Sequence, residues 1–260
     1  MPVSNLFDVG GKVALVTGGA HGLGRMMAQG LLEAGARVYI TSRKADAAER
    51  AAGELGAYGQ CVGLAADLGQ PEAAASLAQQ LREHESRLDI LINNAGRTWG
   101  APLASFPDKA WGSVMAVNVQ APFTLVRELL DLLQAAGSAG APSRVINIGS
   151  LAGAVVERLN AYSYAASKAA IQHLSRVLAA DLAAHHIAVN VIVPGFFPTQ
   201  MTAHIRGDAA ELANLIARVP LGRLGRPDDI VGACLFLCSR AGSYLTGAAL
   251  FLDGGMAGCR

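Results

Sequence analysis

The sequence has little of several features that mark other protein classes. Its four cysteines, Cys61, Cys234, Cys238 and Cys259, form no C-x-x-C pair, so they are typical of reduced thiols rather than of a disulfide or zinc framework. The net charge is only +1, which gives no electrostatic argument for binding nucleic acid or a membrane surface. Residues 1–12 lack the apolar core of a signal peptide, and no uninterrupted apolar run is long enough to span a bilayer. We therefore expect a cytoplasmic protein with no metal site and with no nucleic-acid or membrane partner.

The apolar content is typical of a compact globular chain. Of the 260 residues, 52% are hydrophobic and 16% are charged. Short β-branched runs alternate with long Ala/Leu-rich amphipathic runs, and several of the short runs are continuously apolar, as in parallel strands covered on both faces. We therefore predict a single α/β domain over 1–260, in which a doubly wound, parallel, seven-stranded sheet carries helices on both faces.

The alternation of patterns gives a predicted order of elements. The predicted strands are Val13–Thr17, Arg37–Thr41, Cys61–Ala65, Ile90–Asn93, Val145–Ile148, Val189–Val193 and Ala249–Leu252. The predicted helices are Leu23–Ala34, Ala45–Leu55, Glu72–His84, Ala110–Ala136, Ala165–His185 and Asp228–Ser239. Residues 194–224 break the rhythm with several prolines and glycines around one short helix, and ligands of such sheets bind beyond the carboxyl ends of the strands. We expect this segment to be a substrate lid.

A glycine-rich loop joins the first predicted strand to the first predicted helix. It reads Thr17-Gly18-Gly19-Ala20-His21-Gly22-Leu23-Gly24, with the spacing Gly-x-x-x-Gly-x-Gly rather than the common Gly-x-Gly-x-x-Gly. Glycines let the backbone approach a ligand closely, and a helix N-terminus attracts a pyrophosphate. A tight strand-to-helix turn without a ligand would need similar glycines. The position at the first βα turn favours a dinucleotide site.

The residues after the second predicted strand bear on the choice of cofactor. A carboxylate there would accept a hydrogen bond from a free ribose 2′-hydroxyl, but this chain has Ser42, Arg43 and Lys44. A guanidinium favours a 2′-phosphate, and His21 can add a further donor. The two basic residues can also be an ordinary solvated helix start, and His21 a plain loop residue. We predict NADP(H) as the cofactor.

Three residues form a candidate acid/base site. Tyr164 and Lys168 are four residues apart on a predicted helix, so they project from one face. The pKa of tyrosine is ordinarily about 10, and a nearby ammonium lowers it by stabilising the phenolate. Ser150 ends a strand and can hold a carbonyl oxygen. Without Ser150, Tyr164 and Lys168 could equally be a core tyrosine and a lysine that extends along the surface to reach solvent. We assign Tyr162, six residues from Lys168, to packing or to the substrate wall.

Two asparagine-containing segments are further candidates. Asn118 lies within the long predicted helix 110–136, where a buried amide needs partners. It can make a structural hydrogen bond, or it can mark a local helix distortion that carries a proton-relay water. Asn94, Ala95 and Gly96 follow a strand, where they can support the cofactor or form a simple turn.

Together these residues resemble the short-chain dehydrogenase/reductase family over residues 10–256. The resemblance implies a Rossmann-like fold, with Tyr164 as general acid/base, Ser150 as carbonyl binder, Lys168 as the residue that lowers the tyrosine pKa and holds the nicotinamide ribose, and Asn118 as anchor of the relay water. It also implies that Asp67 contacts the adenine and Thr199 the carboxamide, although Asp67 can instead cap a helix. The implied cofactor-binding residues are Gly18, His21, Gly22, Leu23, Gly24, Ser42, Arg43, Asp67, Leu68, Asn94, Ala95, Gly96, Tyr164, Lys168, Pro194, Gly195, Thr199 and Met201.

Within the family, the chain is similar to the β-ketoacyl reductase branch, and in particular to rhamnolipid-associated reductases. The similarity lies in Gly30–Ala36, Thr98–Gly100 and Arg144–Ser150. Fatty-acid-synthesis members of this branch use basic residues to dock an acidic carrier protein. The corresponding segments of this chain, Gln134–Ala136 and Ala179–Asp181, contain no basic residue, so the sequence does not support carrier-protein docking. The resemblance implies an oxidoreductase that acts on a small ketone or alcohol, such as a 3-ketoacyl compound.

Other functions and assembly states stay open at the level of sequence. The alternatives are a sugar or polyol dehydrogenase and a non-catalytic NADP(H)-binding sensor. Related proteins assemble through long Ala/Leu-rich helices and the last strand, so we expect a homotetramer or homodimer, although the sequence also permits a monomer. The candidate pocket-lining residues, each of which can instead be a packing residue, are Trp99, Phe196, Phe197, Met201 and Ile205.

Overall fold

A computed structural model describes residues 5–157, 159–199 and 207–259 of the chain. Seven parallel strands form one sheet in the order β3-β2-β1-β4-β5-β6-β7. The structure confirms the predicted fold class and each predicted strand, although several strand ends differ by one or two residues. The strands are β1 Val13–Val16, β2 Arg37–Ser42, β3 Cys61–Ala65, β4 Ile90–Asn93, β5 Ser143–Ile148, β6 Ile187–Pro194 and β7 Ala249–Leu252.

Helices cover both faces of the sheet. The α-helices of the described residues are α1 Gly22–Glu33, α2 Ala45–Leu55, α3 Ala73–Arg82, α4 Lys109–Met115, α5 Ala121–Glu128, α6 Leu130–Ala136, α7 Tyr162–Leu182, α8 Ala209–Ala217 and α9 Pro227–Cys238. Helix α7 begins three residues before its predicted start, which places Tyr162 and Tyr164 in its first turn.

Alternation along β1 explains the two-sided core. Ala14 and Val16 pack in a buried cluster with α1 and α9, whereas Leu15 packs in a second cluster with α3, α5 and α7. Successive strand residues point to opposite faces, so a continuously apolar strand serves both layers. Each fully buried Leu or Ile contributes about 1.5–3 kcal/mol. The order of strands reverses between β1 and β4, whose carboxyl ends lie side by side through the pairing of Val16 with Ile92. This reversal opens the crevice in which ligands of such sheets bind.

The single helix predicted over 110–136 is wrong, because the structure divides it into α4, a π-helical turn Ala116–Gln120, α5 and α6. Pro122 has no N–H to donate to the carbonyl of Asn118 four residues earlier, so α-helical bonding cannot continue there. At the second break, Arg82 donates a hydrogen bond to the carbonyl of Glu128.

Part of the predicted lid, residues 200–206, lies outside the described residues. Its described part includes α8, which begins after Asp208; the Asp208 carboxylate accepts hydrogen bonds from the amides of Ala210 and Glu211 at 2.8 and 3.1 Å. Within the described ranges, no helix is long and apolar enough to cross a membrane, and no three His, Cys, Asp or Glu side chains form a group suited to a metal ion.

Candidate active site

The glycine loop forms a close-fitting turn at the carboxyl end of β1. Gly18 and Gly22 have φ angles of +63° and +58°, a region that favours glycine. A methyl group on Gly24 would overlap the side-chain nitrogen of Asn94 and the carbonyl oxygen of Gly18. Helix α1 begins at Gly22, and its N-cap residue, the exposed His21, makes no side-chain cap hydrogen bond. The N-terminal amides of α1 therefore suit an anionic phosphate.

Asn94 and Thr17 hold this loop against the end of β4. The Thr17 hydroxyl accepts hydrogen bonds from the amides of Asn94 and Ala95, both at 3.0 Å. The Asn94 side-chain nitrogen donates to the carbonyl oxygens of Thr17 at 2.9 Å and Gly18 at 3.2 Å. Asn94 thus supports the loop from β4, across the crevice at which the strand order reverses.

The structure places the predicted adenosine-binding residues at the ends of β2 and β3. Ser42 ends β2, and Arg43 follows it on the surface, with no ion pair to any described residue. Asp67 accepts a hydrogen bond from the amide of Gly69 at 3.2 Å, so it shapes a turn. The N-cap of α3 is Glu72, so Asp67 does not cap that helix. Leu68 is buried beside this turn.

The Ser150 hydroxyl lies close to Tyr164. The Ser150 oxygen accepts a hydrogen bond from the amide of Ala152 at 3.2 Å and so caps the short 3₁₀ turn Leu151–Gly153. Hydrogen bonding between the Ser150 and Tyr164 side chains lowers the pKa of Tyr164. Burial has the larger effect and raises the pKa of Tyr164 above its ordinary value.

Lys168 lies beneath Tyr164 rather than beside its hydroxyl. Its side-chain nitrogen donates to the carbonyl oxygen of Ile148 at 2.6 Å and lies 5.7 Å from the centre of the Tyr164 ring. Lys168 is 5% exposed, and burial lowers its pKa to about 8. For Tyr164, burial outweighs the hydrogen bond that lowers the tyrosine pKa. The expectation that Lys168 lowers this pKa stays a prediction.

Asn118 joins three parts of the site. Its side-chain oxygen accepts from the amide of Arg97 at 2.8 Å, and its nitrogen donates to the carbonyl of Arg97 and the hydroxyl of Ser167, both at 2.9 Å. The expected helix distortion is confirmed, because Asn118 lies in the π-helical turn. The structural hydrogen bond is present too, and the relay water stays a prediction. A methyl group on Gly96 would lie 3.6 Å from the side-chain oxygen of Asn118 and 3.9 Å from the nitrogen of Lys168.

Residues at the end of β6 complete the crevice. Pro194 is the last residue of β6, and a methyl group on Gly195 would lie 2.8 Å from the Cα of Asp253, so the chain passes β7 closely there. The Thr199 methyl would be 3.7 Å from a methyl group on Gly22, which brings the start of the predicted lid against the glycine loop. Of the remaining predicted residues, Met201 and Ile205 lie outside the described residues.

The predicted pocket wall holds in part. Phe197 is 3% exposed and belongs to a core cluster, so of its two expected roles the structure supports packing; sequence alone does not distinguish a core phenylalanine from a lining one. Phe196 packs in a small cluster with Leu151, next to Ser150. Trp99 is 41% exposed. Tyr162 packs edge-on against Phe106, with ring centres 5.3 Å apart, as the packing assignment expects.

Two interactions that position α7 were not predicted from the sequence. Gln172 donates to the carbonyl of Ser150 at 3.2 Å and is 8% exposed. A buried chain of hydrogen bonds, each of 2.8 Å, runs from Asn93 through Asn147 to Ser175 and joins β4, β5 and α7. The spacing of Tyr164, Lys168 and Gln172 by four residues is the one sequence signal that Gln172 shares the catalytic face of α7.

The arrangement can transfer a proton to or from an oxygen atom. The side chains of Ser150 and Tyr164 interact, and the buried Lys168 ammonium lies 5.7 Å from the centre of the Tyr164 ring. A positioned donor of this kind stabilises the charge that develops on a carbonyl oxygen as it is reduced.

Known proteins are similar to this chain in sequence and in fold. A family described as enoyl-(acyl carrier protein) reductase matches residues 18–257. A rhamnolipids-biosynthesis 3-oxoacyl-[acyl-carrier-protein] reductase from Pseudomonas aeruginosa PAO1 is 49% identical over 249 residues, covering 96% of this chain and 97% of that protein. A 5-keto-D-gluconate 5-reductase from Escherichia coli K12 is 36% identical over 255 residues, covering 98% of both.

The solved structure of a Pseudomonas aeruginosa RhlG/NADP active-site complex superposes with a TM-score of 0.95 at 49% identity, covering 97% of this chain and 99% of that one. The similarity therefore extends over nearly the whole chain. The chain belongs to the short-chain dehydrogenase/reductase family.

Proposed function

We propose that the protein is an NADPH-dependent carbonyl reductase, reversible as an alcohol dehydrogenase, which reduces a 3-ketoacyl or related ketone to a secondary alcohol. The observation that carries this proposal is the grouping of three side chains: Ser150 interacts with Tyr164, and the buried Lys168 ammonium lies 5.7 Å from the centre of the tyrosine ring. This grouping suits proton transfer to a carbonyl oxygen that is placed beside the two hydroxyls.

Each of the site residues has a separate role in the proposed reaction. The nicotinamide, when bound, supplies the hydride that adds to the carbonyl carbon. Ser150 donates a hydrogen bond to the carbonyl oxygen, and Tyr164 transfers its phenolic proton to that oxygen as negative charge develops there. In the reverse direction the phenolate accepts the proton of the alcohol. Lys168 supplies positive charge next to the Tyr164 ring. Asn118 holds the backbone of Arg97 and the hydroxyl of Ser167 in place by hydrogen bonds.

The cofactor assignment is supported by the glycine loop and by the end of β2. A methyl group on Gly24 would overlap Asn94 and the Gly18 carbonyl, so the turn can pack this tightly only with glycine at that position. A tight glycine turn before a helix leaves the helix amides accessible to a dinucleotide phosphate. Ser42 and the surface Arg43 favour a 2′-phosphate over a free ribose diol. The RhlG complex, at 49% identity, holds NADP, which agrees with this choice.

Exposed apolar side chains support an acyl or other apolar ketone. Leu103 is 74% exposed and Leu159 is 43% exposed, and the loops that carry them are joined by a hydrogen bond from the amide of Ala101 to the carbonyl of Asn160. Isolated exposed apolar residues are ordinary, but these lie on two joined loops that follow β4 and β5, and the exposed Trp99 lies on the first of them. A keto sugar is the second candidate, because the 5-keto-D-gluconate reductase is 36% identical.

Assembly and location are also proposals. Trp111, Phe123, Val177 and Phe251 are each more than 40% exposed on α4, α5, α7 and β7, which supports a homodimer or homotetramer. We propose a cytoplasmic location because the four cysteines carry no disulfide motif. Residues 194–224 are proposed to act as the substrate lid.

A substrate panel tests the function. Purified protein is given NADPH with a 3-ketoacyl thioester, 5-keto-D-gluconate and a 2-enoyl thioester, and cofactor consumption is followed. We expect the ketoacyl thioester to give the highest kcat/KM, and Tyr164→Phe to abolish turnover while NADPH still binds. Tyr162→Phe is the matched control. Preferential reduction of the enoyl thioester, or normal turnover by Tyr164→Phe, would overturn the proposal.

A further inference from the structure

A buried carboxylate lies in the loop that joins the two catalytic hydroxyls. Glu157 stands between Ser150 and Tyr164, and its side chain is only 2% exposed. Both of its oxygens accept hydrogen bonds from one nitrogen of Arg218, at 2.7 and 3.0 Å. A buried carboxylate is costly unless it is paired, so the ion pair with Arg218 helps to keep Glu157 inside.

Arg218 directly follows α8, the helix of the proposed lid. The next residue, Val219, is 5% exposed and packs with Leu151 and Met256 in a small apolar cluster. Leu151 is the residue after Ser150. Two successive residues at the end of α8 therefore contact the catalytic loop at two points, one polar near its middle and one apolar at its start.

The same loop is held from its other side by α7. Gln172 donates to the Ser150 carbonyl, and a methyl group on Gly153 would lie 2.5 Å from the backbone carbon of Lys168. The inner contact is with the sheet and α7, whereas the outer contact at Glu157 is with α8. Val156 beside it is 88% exposed, so the loop is open to solvent next to Glu157.

We propose that Glu157 and Arg218 are positioning residues that couple the lid helix α8 to the loop carrying Ser150. Helix α8 and the loop that carries Ser150 then move together, so the position of the carbonyl-binding hydroxyl depends on the position of α8. The catalytic consequence rests on the proposed function, but the mechanical coupling does not. Glu157 lies in the loop after β5 and Arg218 after α8, whereas the glycine loop follows β1, so we expect cofactor binding to be independent of the pair.

The chain offers a close control for a purely structural ion pair. Arg37 and Glu85 are 2.7 Å apart, with side-chain exposures of 42% and 9%, compared with 49% and 2% for Arg218 and Glu157. Arg37 begins β2 at the amino edge of the sheet, opposite the crevice. Substitution of either arginine removes the ion pair of a largely buried carboxylate, although Glu85 keeps a hydrogen bond from the Tyr39 hydroxyl at 2.8 Å. Of the two pairs, Glu157 and Arg218 adjoin the catalytic loop.

The first measurement is kinetic. Glu157→Gln, Arg218→Gln, the double variant, Arg218→Lys and Arg37→Gln are compared for ketone kcat/KM, NADPH Kd and Tm. We expect each Glu157 or Arg218 single variant to lose about 10²-fold in kcat/KM, as for a small displacement of a catalytic group. The double variant should be no worse than the singles, Arg218→Lys should restore part of the loss, and NADPH Kd should stay unchanged. A loss in Arg37→Gln equal to that in Arg218→Gln, or additive losses in the double variant, would overturn the proposal.

The second measurement needs no substrate and keeps the proposal testable if ketone reduction fails. Amide hydrogen exchange is compared between the wild type and Arg218→Gln. We expect faster exchange in residues 151–157 as well as in α8, with no change at the glycine loop. Faster exchange confined to α8 would show that the helix and the catalytic loop are not coupled.

Discussion

The buried ammonium of Lys168 lowers the free energy of unfolding, and the variant Lys168→Met, which removes this charge, measures by how much. The side chain is 5% exposed, and no carboxylate in the described ranges forms an ion pair with it. Burial lowers its pKa from 10.5 to about 8. One unit of pKa corresponds to about 1.4 kcal/mol, so the charged form costs the fold about 3 kcal/mol near neutral pH.

The sign of the pH dependence follows from the direction of the shift. Because the pKa of Lys168 is lower in the folded than in the unfolded protein, the penalty is complete below about pH 8 and is lost as the pH rises toward 10.5. Near pH 9.5 about half of it remains. The hydrogen bond to the carbonyl of Ile148, worth about 1.5–3 kcal/mol for a charged donor, is lost in the methionine variant and offsets part of the gain at neutral pH.

The assay is urea unfolding of both proteins without cofactor, at about pH 7 and about pH 9.5. We expect the free energy of unfolding of Lys168→Met, relative to wild type, to fall by about 2 kcal/mol across this range, because only the wild type is relieved of its charge. Lys109→Met, at an exposed position in α4, is the control and should show no such change. A relative stability of Lys168→Met that is independent of pH would refute the assignment of a desolvated ammonium.

Three further substitutions probe separate parts of the site. Ser150→Ala should lower kcat by about 10²-fold, as for loss of a positioned donor, and should raise the pKa of Tyr164 by removing the hydrogen bond that lowers it; an unshifted pH profile of kcat would contradict this role. Arg43→Ala should weaken NADPH binding by roughly 10- to 100-fold, the worth of one charge-assisted contact, and NADH binding little. An unchanged ratio of kcat/KM for the two cofactors would rule Arg43 out. Gly24→Ala should displace the Asn94 side chain, raise the NADPH Kd and destabilise the fold by about 1–3 kcal/mol, measured by titration and by urea unfolding; a normal Kd would show that the loop tolerates the methyl group.

Sequence was sufficient where the determinants are local. The seven strands are short apolar runs bounded by turn residues, and their continuous apolarity indicates burial on both faces. The glycine loop is one contiguous segment, and a spacing of four on a helix brings Tyr164 and Lys168 to one face by helix geometry alone. Ser150 could be predicted because it directly follows a strand at the edge where ligands of such sheets bind.

Tertiary structure decided what depends on neighbours distant along the chain. Apolar residues of one type serve as core or as pocket wall according to what packs on them, so both roles were open for Phe197 until its position in the core was seen. Pro122 is a local signal for the break of the helix near Asn118, but the partners of the Asn118 amide, Arg97 and Ser167, are brought to it only by the fold. The pairing of Glu157 with Arg218 spans 61 residues, and neither side chain carries a local signal of its partner. The pKa of Lys168 likewise depends on burial and on a backbone carbonyl, which exist only once β5 and α7 have packed together.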